Sequence, residues 1–165
     1  MHIPTITGII DRRMLINYRV DPDVLARLLP APFEPKLVDG VGMAGICLIR
    51  LAKIRPRALP PLVTLGSENA AHRVAVEWTE AGERRQGVYI FRRDSSSRLN
   101  TWLGGRLFPG ILHHAGFQVT ESDERFQLAM ASDDGQTRIA LDAALASALP
   151  TTSIFGTLSR ASDFF

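Results

Sequence analysis

The chain has 165 residues and a mass of 18.2 kDa, room for one domain or at most a tight pair of lobes. Such a length buries a core without disulfide or metal staples, and 45% hydrophobic with 22% charged residues excludes a disordered or fibrous protein. A net charge of +2 leaves no large single-sign field, so a pI near 9.1 is weak evidence for a nucleic-acid partner. The lone cysteine, Cys47, sits in an apolar run and reads as buried packing, which fits a reducing cytoplasm. The longest apolar stretch, from Val41 to Ile49, is far below the roughly 18 residues of a membrane span. Near the N-terminus, Ile9-Ile10 precedes Asp11-Arg12-Arg13, the reverse of a signal peptide's order. A cytoplasmic protein with no membrane partner is expected.

Met14 to Val20 mixes apolar and β-favouring residues and predicts a strand. Asp21-Pro22-Asp23 then supplies an N-cap, a proline at the first helical position and an acid in the first turn. Val24, Leu25, Leu28 and Leu29 follow at helical spacing, and Pro30 with Pro32 stops the helix. Phe33 to Val38 reads as a strand, Asp39-Gly40 as a turn, and Val41 to Lys53 as the longer return strand of a hairpin. Gly42 and Gly45 inside it predict a bulge or a close approach to the backbone. Arg55 to Gly66 holds three prolines and is expected to be a long functional loop.

From Ala71 to Trp78 the chain alternates, with His72, Val74, Val76 and Trp78 on one face and Ala71, Arg73, Ala75 and Glu77 on the other. This predicts a half-buried strand, turned by Ala81-Gly82 into a second strand over Gly87 to Phe91. Arg92 to Asn100 is polar and serine-rich and reads as a loop. Thr101 to Phe108 and Pro109 to Ala115 read as two short helical pieces, and Gly116 to Thr120 as a strand. A hairpin follows from Phe126 to Ala131 and Thr137 to Ala143, joined around Asp133-Asp134-Gly135. Weak helical periodicity over Leu158 to Phe165 closes the chain. Strands outnumber helices and most neighbours are hairpin-linked, so the expected class is α+β, mainly antiparallel, with a barrel or strongly curved sheet and short helices.

Common catalytic signatures are missing: there is no G-x-S-x-G elbow, no P-loop and no paired cysteines. On a helix His113 and His114 would point about 100° apart, which suits no single ion, so no metal site is expected. The pairs Arg12-Arg13, Arg84-Arg85 and Arg92-Arg93 lack interleaved aromatics and read as solvated strand ends rather than a nucleic-acid surface. Ser67-Glu68-Asn69 stands where the proline-rich loop meets the alternating strand, placing a carboxylate at a sheet rim, partly desolvated and suited to proton transfer. An ion pair between Arg73 and Glu77 along one strand face is the plainer reading of that stretch. The glycines of Trp102-Leu103-Gly104-Gly105-Arg106-Leu107-Phe108-Pro109-Gly110 permit close backbone approach, and Arg106 could grip a carboxylate with two hydrogen bonds. A tight helix corner explains the same glycines.

The order of motifs resembles the acetoacetate decarboxylase-like superfamily, in particular its YqjF-like branch of uncharacterised proteins. The motifs are Asp21 to Phe33 after a first strand, Asp39-Gly40 with a long strand, the Ser67-Glu68-Asn69 corner, and Gly105-Arg106 with Pro109; the likeness spans residues 11 to 165. The resemblance implies a cone-shaped, largely antiparallel β-barrel holding a small ligand, with Glu68 as the assisting glutamate and Arg12 or Arg13 as the N-terminal substrate-binding arginine. In the decarboxylases a lysine after the Gly-Arg-Pro motif forms a Schiff base with a β-keto acid. Here Gly110 and Ile111 follow Pro109, and the only lysines are Lys36 and Lys53. Arginine cannot substitute, because guanidinium stays protonated and is a poor nucleophile. The resemblance also implies further strands beyond Phe165, so the chain reads as a shortened member or one whose partner covers the end.

The expected function is therefore binding of a small organic acid or carbonyl compound by one decarboxylase-like barrel, residues 1 to 165, without Schiff-base decarboxylation. Glu68 is the expected acid/base group, with Arg73, Arg106 and Arg13 as substrate-binding residues. Whether a reaction occurs stays open; if one does, it is lyase-like chemistry on a small carbonyl compound without a cofactor. The second reading is a structural module that pairs in a homo-oligomer, and the two differ in whether a cavity remains or side chains fill it.

Overall fold

The computed structural model, which describes residues 5–58, 60, 62, 64–103 and 111–164, opens on a long strand, β1 (Ile6–Val20). Asp21 ends it by capping helix α1 (Pro22–Leu28), its side chain accepting from the Asp23 backbone N–H at 2.8 Å. The expected strand over Phe33 to Val38 is two short pieces, β2 (Glu34–Pro35) and β3 (Leu37–Val38). They serve different neighbours: β2 pairs antiparallel with β5 (Leu65–Glu80), and β3 with β4 (Val41–Pro56). Asp39 and Gly40 both have positive φ (48° and 78°), the conformation of a two-residue turn whose twist matches its strands.

Gly42 explains itself in this hairpin. A Cβ there would lie 2.5 Å from Leu25 Cδ1 and 3.2 Å from the Val20 carbonyl oxygen, so the close approach is made by the buried leucine of α1. Gly42→Ala is expected to cost about 1–3 kcal/mol of overpacking in urea denaturation. An unchanged midpoint would mean that α1 moves aside freely.

β4 and β5 both outrun their expected lengths, leaving the proline-rich connection only residues 57–64. Ala81 and Gly82, again with positive φ, turn β5 into β6 (Glu83–Ser95). The serine-rich stretch read as a loop instead completes β6 and starts α2 (Arg98–Leu103). His113, His114 and Ala115, expected on a helix, lie in β7 (Leu112–Glu121), which pairs parallel with β6 through Asp94 opposite His113. Parallel neighbours need a crossover rather than a hairpin, and α2 lies within it. The last hairpin, β8 (Arg125–Ser132) and β9 (Arg138–Ala144), stands as expected, and α3 (Leu158–Phe164) follows.

Strand order is β1-β4-β5-β6-β7-β8-β9, so β1 and β9 end the path among the described residues, a sheet-dominated fold with short helices. The chain divides into two compact units, the first comprising residues up to Ile16 with Ile46–His72 and Phe91–Ala143, the second the remainder. Leu48, Ala70, Ala115, Leu128 and Met130 form the core of the first. The second has two clusters, one around Val38, Met43, Ala75 and Phe155, the other around Leu25, Val74 and Val76. The clean alternation over Ala71 to Trp78 thus does not mean a half-buried strand. Residues 72–76 are buried on both faces, because β5 lies in the middle of the strand order with apolar residues packed on each side.

Cys47 is buried, as expected. In the second unit the Phe164 ring packs on Phe155 with centroids 5.4 Å apart, and Lys36 Nζ lies 4.2 Å over that ring while donating to the Phe164 carbonyl oxygen. This side chain at the end of the chain is therefore covered by its own unit.

Candidate functional site

The Ser67-Glu68-Asn69 corner is bolted to the end of β6. Ser95 Oγ donates to Asn69 Oδ1 at 2.8 Å, the Glu68 N–H donates to Ser96 Oγ, and the Ser96 N–H donates to the Glu68 carbonyl oxygen at 2.9 Å. Asn69 Nδ2 spans back to the Ile49 carbonyl oxygen of β4. So held, the Glu68 carboxylate receives two guanidinium groups, Arg12 Nη2 on Oε2 and Arg50 Nε on Oε1, each at 2.5 Å. Both arginines also reach Glu121 of β7. Two arginines and two glutamates, with the Arg12 side chain only 9% exposed, make a compact cluster, and Asp11 stands 3.8 Å from Arg50 at its edge. Such a cluster locks strands together; both Glu68 oxygens are committed to it.

Of the other expected site residues, Arg13 follows Arg12 on β1, faces the opposite side by strand alternation and is exposed, so Arg12 is the N-terminal arginine that meets Glu68. Arg73 belongs to the second unit, buried, with Nη2 donating to Asn17 Oδ1 at 2.9 Å. Glu77, its suggested partner, binds Arg84. Arg106 lies outside the described residues, as does most of the glycine-rich segment around it.

A different constellation surrounds an open groove of about 570 Å³ in the first unit. Ile46, Phe91 and Ile139 supply its apolar wall, and His72, Arg92, His113 and Arg138 its polar one. Beneath lies Asp94, fully buried on β6. His72 Nε2 stands 2.8 Å from Asp94 Oδ2, and Arg92 grips both Asp94 oxygens through Nε and Nη2. The free end of the Arg92 fork reaches Asp134 at 2.9 Å, and His113 Nδ1 lies 3.1 Å from the same carboxylate. One arginine thus joins two carboxylate–histidine pairs.

Burial alone would raise the Asp94 pKa, but hydrogen bonds from His72 and Arg92 outweigh it and hold the carboxyl below its ordinary range. Asp134 is held well below that range by Arg92, the Ser132 hydroxyl and the Gln136 N–H. An ionised Asp94 can only accept, so in the neutral ring Nε2 of His72 carries the proton and Nδ1 keeps a lone pair. Nδ1 makes no hydrogen bond among the described residues. Arg138 forms no ion pair among them either, which leaves a guanidinium on the groove for an incoming anion.

Sequence reasoning missed this groove. Its residues come from β4, β5, β6, β7, the β8–β9 turn and the start of β9, and along the sequence His72 is one member of an apolar face. The available signal was that a histidine broke the run Ala70 to Trp78 and that Asp94 followed two arginines. Neither is specific until the strands are paired. Among the described residues no cluster of metal-ligating side chains occurs, and no helix is long and apolar enough to cross a membrane.

A family model described as an uncharacterized conserved protein, DUF2071, matches residues 10–161 of this sequence. The chain belongs to this family. Among curated proteins the sequence finds no match. Among solved structures, acetoacetate decarboxylase from Legionella pneumophila is similar in fold, with a TM-score of 0.54 over 82% of this chain at 16% identity. The chain spans about half of that protein, 47% of its length. The decarboxylase-like relationship read from the motif order therefore holds at the level of the fold.

Proposed function

We propose that this family member binds a small organic acid bearing a carbonyl group in the groove of its first unit, within a decarboxylase-like framework. The observation that carries this reading is the juxtaposition of Arg138, uncommitted to any described carboxylate, with two histidines and an apolar wall. Arg138 supplies the planar grip for a carboxylate, Ile46 and Phe91 receive a short alkyl chain, and His113 offers a hydrogen bond to a carbonyl oxygen. Imine chemistry does not enter the proposal. Of the two lysines, Lys36 is engaged by Phe164 in the second unit, and Lys53 is exposed on β4. Glu68, saturated by Arg12 and Arg50, organises strands in this reading rather than touching the ligand.

A thermal-shift screen with pyruvate, 2-oxobutyrate, lactate and propionaldehyde tests it. A ligand at 100 times its dissociation constant stabilises by about 2.7 kcal/mol, several degrees in melting temperature. The keto acids are expected to shift the midpoint and the aldehyde is not. Arg138→Gln is expected to weaken keto-acid binding at least tenfold, while Glu68→Gln keeps it. No shift with any compound, in a protein that melts cooperatively, would favour the interaction-module reading.

A further inference from the structure

The groove holds more than a binding site requires. A ligand grip needs Arg138 and an apolar wall, yet beneath it a fully buried carboxylate orients one imidazole, a second carboxylate stands against another, and Arg92 ties the two together. Burying Asp94 costs free energy that a simple binding surface has no need of. Its hydrogen bond specifies which nitrogen of His72 is a base.

We propose that His72 is a general base that removes a proton from the carbon next to the carbonyl of a bound 2-keto acid, with His113 as the acid that protonates the carbonyl oxygen. This rests on the binding reading above and adds the chemistry to it. The Nδ1 lone pair of His72 takes the proton, the C–H electron pair becomes the second bond of a C=C, and the carbonyl π pair moves onto oxygen. Oxygen takes the proton from Nε2 of a protonated His113, whose Nδ1 lies against Asp134, and the product is the enol. No atom is gained or lost and no oxidant is needed. Asp94 and Arg92 are positioning residues: they fix the tautomer and the ring of His72 and touch no substrate. Arg138 holds the carboxylate so that the carbon acid faces the groove.

Hydrogen–deuterium exchange separates the chemistry from the binding. In D2O, the methyl protons of pyruvate and the C3 protons of 2-oxobutyrate are followed by proton NMR with wild-type protein and with His72→Gln, beside melting curves with the same acids. Expected is catalysed exchange by the wild type and a loss of at least 100-fold in His72→Gln, with the ligand-induced melting shift retained. Added imidazole is expected to restore part of the rate to His72→Ala, which a merely structural histidine would not allow. Should the variants fail to melt cooperatively, carbethoxylation of the folded wild type with diethyl pyrocarbonate decides. Modification mapped to His72 should abolish exchange and be blocked by bound pyruvate. Binding without exchange, or exchange indifferent to His72, overturns the assignment and leaves the binding site standing. No melting shift with either acid overturns the binding reading itself.

Discussion

Asp94→Ala is expected to lower stability by about 3–5 kcal/mol, the usual cost of removing one partner from a buried ion pair. At this chain length that is a fall of roughly 6–20 °C in melting temperature. The side chain is fully buried, and its loss strands the Nε2 proton of His72 and half of the Arg92 fork in a desolvated place. Asp134→Ala, which removes an exposed partner of the same arginine, is expected to change the midpoint far less. Acid tests the same group with a known sign. The Asp94 pKa is lowered on folding, so its contribution is fully present above the unfolded value of about 4 and is lost as pH falls through the folded one. The wild type should therefore weaken below about pH 4, and Asp94→Ala should lose less there. Urea midpoints at pH 7 and pH 3 read both effects. A neutral-pH change under about 1 kcal/mol would show that Asp94 is not the electrostatic centre of the groove.

The second large effect is expected at the other charge cluster. Arg12→Met should cost about 2–3 kcal/mol, because it leaves Glu68 and Glu121 facing each other with Arg50 alone to neutralise them. Part of the wild-type gain is offset by Arg12 Nε, buried without a hydrogen-bond partner among the described residues. Combining Arg12→Met with Glu68→Gln isolates the pair. The double variant should be less damaged than the sum of the singles, with a coupling of about 0.5–3 kcal/mol. Strict additivity would mean that the contact contributes nothing. The cycle also bears on function, since Glu68→Gln is expected to leave keto-acid binding intact. Lost binding with intact folding would return Glu68 to the role that the family resemblance implies.

The two clusters were unequally legible. Glu68 stood out because three polar residues interrupted a strand beside a proline-rich loop, a local irregularity visible in one dimension. What holds it did not, since Arg12, Arg50 and Glu121 lie 56, 18 and 53 positions away on three other strands. Expecting a partly desolvated acid for proton transfer was reasonable for a rim carboxylate considered alone. Two guanidinium groups arriving from β1 and β4 turn it into a strand lock.

The same division runs through the fold. Local chemistry set the elements whose cause lies within a few residues: the capped start of α1 at Asp21-Pro22, the turns at Asp39-Gly40 and Ala81-Gly82, and the β8–β9 hairpin around Gly135. Each depends on one side-chain hydrogen bond or on one or two left-handed residues, and the residue types suffice. Motif order likewise pointed to the decarboxylase-like fold. Helical periodicity failed over residues 111–115, where Leu112 to Ala115 join β7 because Arg93, Asp94 and Ser95 offer a parallel edge that no window of the sequence displays. The groove belongs to that second kind. His72 becomes an oriented base only when β6 brings Asp94 to 2.8 Å, and Arg92 links two carboxylates 40 residues apart in the chain only when the β8–β9 turn closes over β6. Hydrogen-bond direction and the desolvation of a carboxylate are properties of paired strands, so tertiary structure alone decided where the chemistry could be.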